Sequence, residues 1–206
     1  PLASMTLRGF IEELSARTSA PGGGSASAAM AAMGTGLAAM AAKLTYGVRK
    51  FEDVDAHMRR HVPILHGVTR KLISMIDADT SAFNEYMEAL KMPRGTKEEM
   101  AARHAGMQAG LKTAINVPLE TMRLGHSVWD SMCGVARYGN PATKSDIKVG
   151  TRALESGIWG AYQNVLINIE EVEDTDYRAK ILEEAKTIAL GSEKQFVRVM
   201  NILTEY

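Results

Sequence analysis

Pro21-Gly22-Gly23-Gly24-Ser25-Ala26-Ser27-Ala28-Ala29-Met30-Ala31-Ala32-Met33-Gly34-Thr35-Gly36-Leu37-Ala38-Ala39-Met40-Ala41-Ala42 is the stretch on which the fold turns. It lies within 25 consecutive uncharged residues, Thr18 to Ala42, long enough to cross a bilayer. Of the 21 residues from Gly22 to Ala42, however, 17 are Gly, Ala, Ser or Thr, whose side chains are too small to hold the segment in lipid. The larger residues Met30, Met33, Leu37 and Met40 follow steps of 3, 4 and 3 and share one helical stripe. Small residues elsewhere let neighbouring helices come close. The segment therefore reads as a helix in a tightly packed centre, and no transmembrane segment is expected.

Outward from this helix, steps of 3 and 4 between apolar residues recur from Thr6 to the end, and strand-like alternation is nearly absent. The expected fold is all-α: a single-domain antiparallel bundle of long helices over 1–206. The periodicity predicts helices at 6–17, 25–49, 52–62, 64–91, 96–137, 143–171 and 175–204. Pro63 divides or kinks an arm in this reading, and Pro118 bends another. Met92 to Thr96 and Tyr138 to Pro141 are the clearest breaks. Helix 143–171 carries a stripe of Leu154, Ile158, Val165 and Val172, and a second of Ala153, Gly157, Gly160, Asn164 and Asn168. Two packing faces point to dimerisation through helix faces; a fully central helix is the alternative.

The 206 residues balance 24 Lys plus Arg against 24 Asp plus Glu, so no nucleic-acid partner is expected. With 46% hydrophobic residues the chain can bury a sizeable core, which excludes intrinsic disorder. Cys133 is the only cysteine, so no internal disulfide can form and a reducing, cytoplasmic location is expected. The start at Pro1-Leu2-Ala3 has no secretory pattern and reads as an excised domain.

Chemistry concentrates at few positions. Leu65, Leu72, Ile76, Phe83, Tyr86 and Leu90 form an apolar stripe, and Asp79 falls on it. A carboxylate there must be paired, protonated or turned to a cleft. Asp77, about 200° round the helix, should be more solvated. Gly22, Gly23 and Gly24 free the backbone to aim its amides at an anion or carbonyl, with Ser25 as a cap; a plain turn is the simpler alternative, and the Lys of a Walker loop is missing. Asn164 and Asn168 stack at i and i+4, and Asn140 with Asp146 opens the same helix. These groups can read a heterocycle edge or merely bridge helices. His57 and His61 share a face without a third ligand, so no metal site is expected and exposed histidines are the better reading. Arg49, Lys50, Arg59, Arg60, Arg70 and Lys71 are mostly solvated, with room for a polyanionic tail.

Six blocks in order then resemble the cyclodeaminase domain of formiminotransferase-cyclodeaminase, shared with methenyltetrahydrofolate cyclohydrolases. They are Ser19-Ala20-Pro21-Gly22-Gly23-Gly24-Ser25, Leu44-Thr45-Tyr46-Gly47, Asp77-Ala78-Asp79 with Ala82-Phe83, Val117-Pro118-Leu119, Gly139-Asn140 with Ser145-Asp146, and Gly160 to Asn168. The resemblance implies an ammonia lyase that cyclises 5-formiminotetrahydrofolate to the 5,10-methenyl form. Asp79 would be its catalytic acid and base, with Asp77 the second choice. It implies folate contacts at Gly22, Gly23, Gly24, Ser25, Asn140, Asp146, Asn164 and Asn168. No cofactor or metal is implied beyond tetrahydrofolate itself, which would be polyglutamylated in some forms. A homodimer or higher oligomer and a formiminotransferase domain elsewhere in a larger chain are the implied partners. The alternatives are a cyclohydrolase forming 10-formyltetrahydrofolate and a non-catalytic helical oligomer that channels folate.

Overall fold

The computed structural model describes residues 1–205, and the described residues are helical with short connections. Seven α-helices follow in order: α1 Leu7–Leu14, α2 Gly23–Lys43, α3 Asp55–Lys91, α4 Lys97–His126, α5 Trp129–Tyr138, α6 Lys144–Ile169 and α7 Thr175–Thr204. Local chemistry marks their ends. Thr96 and Glu99 make a reciprocal capping box on α4, and Asp174 accepts the Tyr177 amide to start α7. Beyond α2, the Thr45 hydroxyl turns back to the Ala41 carbonyl and Gly47, at φ +73°, reverses the chain. The helix predicted to run to residue 49 therefore stops at Lys43.

Two other predicted boundaries are corrected. Helices 52–62 and 64–91 are largely one: Pro63 lies inside α3 on an exposed face, where water can satisfy the carbonyl that its missing N–H leaves free. Conversely, 96–137 divides at Ser127 and Val128. The Ser127 hydroxyl takes the Leu124 carbonyl, and Val128 and Trp129 then turn into the core. Pro118 is buried within α4, which continues through it.

The small-residue helix behaves opposite to an ordinary amphipathic one. Most of its Ala, Gly, Ser and Thr residues are buried against α3 and α6, while Met33 is 53% exposed and Met30, Leu37 and Met40 are half-buried. The reason is backbone proximity. A Cβ added to Gly34 would stand 2.6 Å from the Gly150 carbonyl, and one on Gly157 would stand 2.6 Å from the Ser27 carbonyl. Large residues cannot occupy such a seam, so they are displaced outward. The segment is apolar and long enough to span a bilayer, yet most of it is covered by other helices.

The seam also answers the two-faced reading of helix 143–171. Leu154, Ile158, Val165 and Val172 are core residues. The stripe through Gly157, Gly160 and Asn164 packs on α2 of the same chain, so that stripe is not a free face for a second subunit; nor is α6 fully central, because Val149, Trp159 and Ile167 on it are exposed.

Candidate active site

The antiparallel seam sets the register of the site. Gly34 meets Gly150, Ala31 meets Gly157, Ser27 meets Gly160, and Gly23 meets Asn164, whose Nδ2 would lie 3.4 Å from an added Cβ. On its other side α2 runs antiparallel to α3, with Thr35 and Thr69 hydroxyls 2.7 Å apart and Ser25 opposite Ile76 to Thr80. The first turn of α2 is thereby pressed between Asp79 and Asn164. Gly24 is required there, because an added Cβ would overlap the Asp79 carboxylate.

Asp79 is half-buried. Ser25 Oγ lies 3.0 Å from its Oδ2 and 2.8 Å from the Ile76 carbonyl. Gly22 precedes α2 without a capping side chain, and the Asp79 carboxylate serves in its place by accepting the Ser25 amide. Burial pushes the Asp79 pKa up, outweighing the downward pull of the Ser25 hydroxyl and amide. The hydroxyl has one hydrogen and, besides Thr80 Oγ1 at 3.3 Å, which can itself donate, two acceptors in reach. When Asp79 is ionised, Ser25 donates to it. When Asp79 is protonated, its O–H donates to Ser25 Oγ, and Ser25 turns its own hydrogen to the Ile76 carbonyl. Either state is satisfied without moving a heavy atom.

A cavity of about 240 Å³ opens beside this carboxylate, lined by Gly22 to Gly24, Asp79, Phe83, Tyr86, Ala114, Asn164, Ile167 and Asn168, with Ser19 and Ala20 at its entrance loop. The Ala20–Pro21 peptide of that loop is cis. The Tyr86 hydroxyl is bound to Glu171 at 3.2 Å, and burial raises its pKa. Asn164 Nδ2 donates to the Gly160 carbonyl and Asn168 Nδ2 to the Asn164 carbonyl, both at 2.9 Å. A larger hollow of about 460 Å³ lies between α6 and α7, but its Lys186 and Glu193 are exposed.

Thus Gly22, Gly23, Gly24, Ser25, Asp79, Asn164 and Asn168 are brought together. The remaining expected residues lie elsewhere. Asp77 accepts the Leu2 amide at 2.5 Å and ties the N-terminal turn to α3. The Asn140 backbone N–H donates to Thr45 Oγ1 and its Nδ2 to the Leu44 carbonyl, at the far end of α2, ~30 Å from the glycines by helical rise. Asp146 is in the first turn of α6, about 27 Å from Asn164 on the same measure. Arg59 and Arg60 are similarly distant, paired with Asp55 and His57.

His57 and His61 are not the exposed pair expected. They are half-buried and their Nε2 atoms are 3.1 Å apart. Arg60 can only donate, so His57 Nδ1 accepts; His57 Nε2–H then donates to His61, whose Nδ1–H donates to Ser131. Burial, then the Arg60 charge for His57 and the His57 charge for His61, lowers both pKa values. Among the described residues no group of three His, Cys, Asp or Glu is placed to hold a metal.

Tyr86, Ala114 and Ile167 were not singled out as site residues from sequence. Tyr86 lies two turns beyond Asp79 on the same stripe, and Ala114 is four residues before Pro118; both signals were available.

Residues 6–187 match the family model for formiminotransferase-cyclodeaminase. The chain is 46% identical over 204 residues to the formimidoyltransferase-cyclodeaminase of Dictyostelium discoideum, covering 99% of this chain and 37% of that protein. Identity to the methenyltetrahydrofolate cyclohydrolase of Methylorubrum extorquens is 36% over 179 residues, covering 87% of this chain and 86% of that one. The crystal structure of formiminotetrahydrofolate cyclodeaminase from Thermotoga maritima matches with a TM-score of 0.88 at 27% identity, covering 98% of both chains. The chain spans little more than a third of the length of its formimidoyltransferase-cyclodeaminase relatives.

Proposed function

This chain belongs to the formiminotransferase-cyclodeaminase family, and on that footing we propose that it is a formiminotetrahydrofolate cyclodeaminase. Its relatives are folate-processing enzymes. The reaction closes a ring: N10 attacks the formimino carbon attached to N5, the N10 proton moves to the departing nitrogen, and ammonia leaves a 5,10-methenyl cation. One proton is carried from one nitrogen to another a few ångströms away, so a single carboxylate can serve as base and then as acid.

The observation that carries this reading is Asp79 with its Ser25 switch. Burial raises the carboxyl pKa towards the range where proton exchange is efficient, and Ser25 satisfies the carboxyl before and after it takes the proton. In its ionised form the same carboxylate favours the positive charge of the protonated formimino group and of the methenyl product. A cavity of about 240 Å³ holds only the reacting end of a folate. The rest must leave past exposed Ser19 and Ile167.

In this reading tetrahydrofolate is the only carrier, polyglutamylated or not. The enzyme acts in the cytoplasm as a homodimer or higher oligomer, and a formiminotransferase domain supplies its substrate. Asn140, Asp146 and Asp77 have no place at the reacting carbon within one chain, because helix lengths hold Asn140 and Asp146 apart from Asp79 and Asp77 is engaged with Leu2.

The second reading is a cyclohydrolase, favoured by similarity to the Methylorubrum protein over nearly its whole length. In it water attacks the methenyl carbon, and Asp79 activates that water. One assay separates the two: 5-formiminotetrahydrofolate is supplied, and ammonia and methenyl absorbance are followed together. Stoichiometric ammonia and methenyl product, both abolished by Asp79→Asn, are expected. Rapid methenyl hydrolysis without ammonia would establish the rival.

A further inference from the structure

The walls of the Asp79 cavity are unequal in hydrogen-bonding sense. Asn164 and Asn168 each give one N–H of the carboxamide to a backbone carbonyl one turn back, which holds the Nδ2 side against the helix and turns Oδ1 away from it. Neither Oδ1 accepts a hydrogen bond among the described residues, and neither is sealed in the protein, since the single buried side-chain polar atom without a partner there is Trp129 Nε1. Opposite them stand the Asp79 carboxylate and the first-turn backbone amides of Gly23 and Gly24, and the Tyr86 hydroxyl is taken by Glu171.

We propose that the Asn164–Asn168 ladder is the element that selects a nitrogen-bearing one-carbon unit, holding the N–H groups of the formimino nitrogen between two carboxamide oxygens and Asp79. This rests on the cyclodeaminase reading and deepens it. A protonated formimino group presents two N–H donors, and after N10 attack the same nitrogen carries the protons with which it leaves as ammonia. A formyl group presents an oxygen there, which would face Asn164 Oδ1 and Asn168 Oδ1 as acceptor against acceptor. The ladder is rigid for its purpose, because reversing either carboxamide would forfeit its bond to the helix.

The N–H donors could also come from the pterin edge of the folate, and the test separates the two sources. Dissociation constants for tetrahydrofolate, 5-formyltetrahydrofolate and 5-formiminotetrahydrofolate are measured on the parent, Asn164→Leu and Asn168→Leu, the last ligand by rapid mixing before turnover. Asn164→Ala and Asn168→Ala provide less bulky counterparts, and helicity and thermal unfolding check each variant. The parent should bind the formimino form more tightly than the formyl form. The variants should lose about 10- to 100-fold for the formimino form while tetrahydrofolate changes little. Equal weakening of tetrahydrofolate and the formimino form would assign the ladder to the pterin edge and overturn the proposal, as would an unchanged preference in folded variants. If the parent prefers the formimino form yet releases no ammonia, the cyclodeaminase reading fails and the ladder stands. If ammonia is released and the preference survives both substitutions, the ladder fails alone.

Discussion

Glycine to alanine at two positions of α2 should act in opposite directions. Gly36 is in mid-helix and an added Cβ meets nothing within 4 Å. Gly36→Ala should therefore gain up to about 1 kcal/mol of helix propensity, raising Tm by roughly 2–4 °C for a chain of this size. At Gly24 the same methyl lands on the Asp79 carboxylate, within 2.6 Å of Oδ2 and closer still to Oδ1. Ordinary van der Waals contact needs ~3.4 Å or more, so the carboxylate must move by roughly 1 Å and loosen its Ser25 bond. Over-packing of this kind costs about 1–3 kcal/mol, which cancels or exceeds the propensity gain. A displacement of about 1 Å at a reacting group is worth ~100-fold in turnover. Thermal unfolding by circular dichroism and ammonia release from 5-formiminotetrahydrofolate measure the two effects independently. If Gly24→Ala stabilises as much as Gly36→Ala and keeps full turnover, the carboxylate does not rest against the first turn of α2, and the assembly of the site described above is wrong.

Ser25→Ala removes a hydrogen bond that lowers the Asp79 pKa, so the acidic limb of the pH–rate profile should move to higher pH, with Ser25→Thr restoring it; an unmoved limb would deny the switch. Gly157→Ala forces a methyl to within 2.6 Å of the Ser27 carbonyl and should destabilise the chain by about 1–3 kcal/mol or more, read as a fall in the denaturant midpoint. The folded-state pKa values of His57, His61 and His126 are all lowered, chiefly by burial. The unfolded chain then binds more protons, so their contribution is fully present above pH ~6.5 and is lost as pH falls from there through the lowered folded values. Urea titrations should show stability declining from pH ~6.5 downward, and a shallower decline in His57→Gln/His61→Gln; an identical slope would contradict the burial assignment.

Periodicity is local, and what is local was legible. The apolar steps along α3 and α6, the breaks at Met92 to Thr96 and Tyr138 to Pro141, and the position of Asp79 on an apolar stripe all follow from residues a turn or two apart. The division expected at Pro63 did not occur, for a physical reason. Whether Pro63 breaks a helix depends on whether its freed carbonyl faces water, which the pattern of the chain does not state. The same holds for His57 and His61, whose spacing is visible but whose burial under α5 is not.

By itself, then, the chain's order of residues determines an all-α bundle with one small-residue helix at its centre and an acid on a greasy face. Tertiary structure decides which motif residues meet. Asn164 reaches Gly23 and Asn140 does not, although both come from equally distinctive blocks, because α2 and α6 pack antiparallel at backbone contact along their length. A rigid helix about 30 Å long keeps its two ends apart, and only the direction in which its neighbours run settles which end each side chain joins.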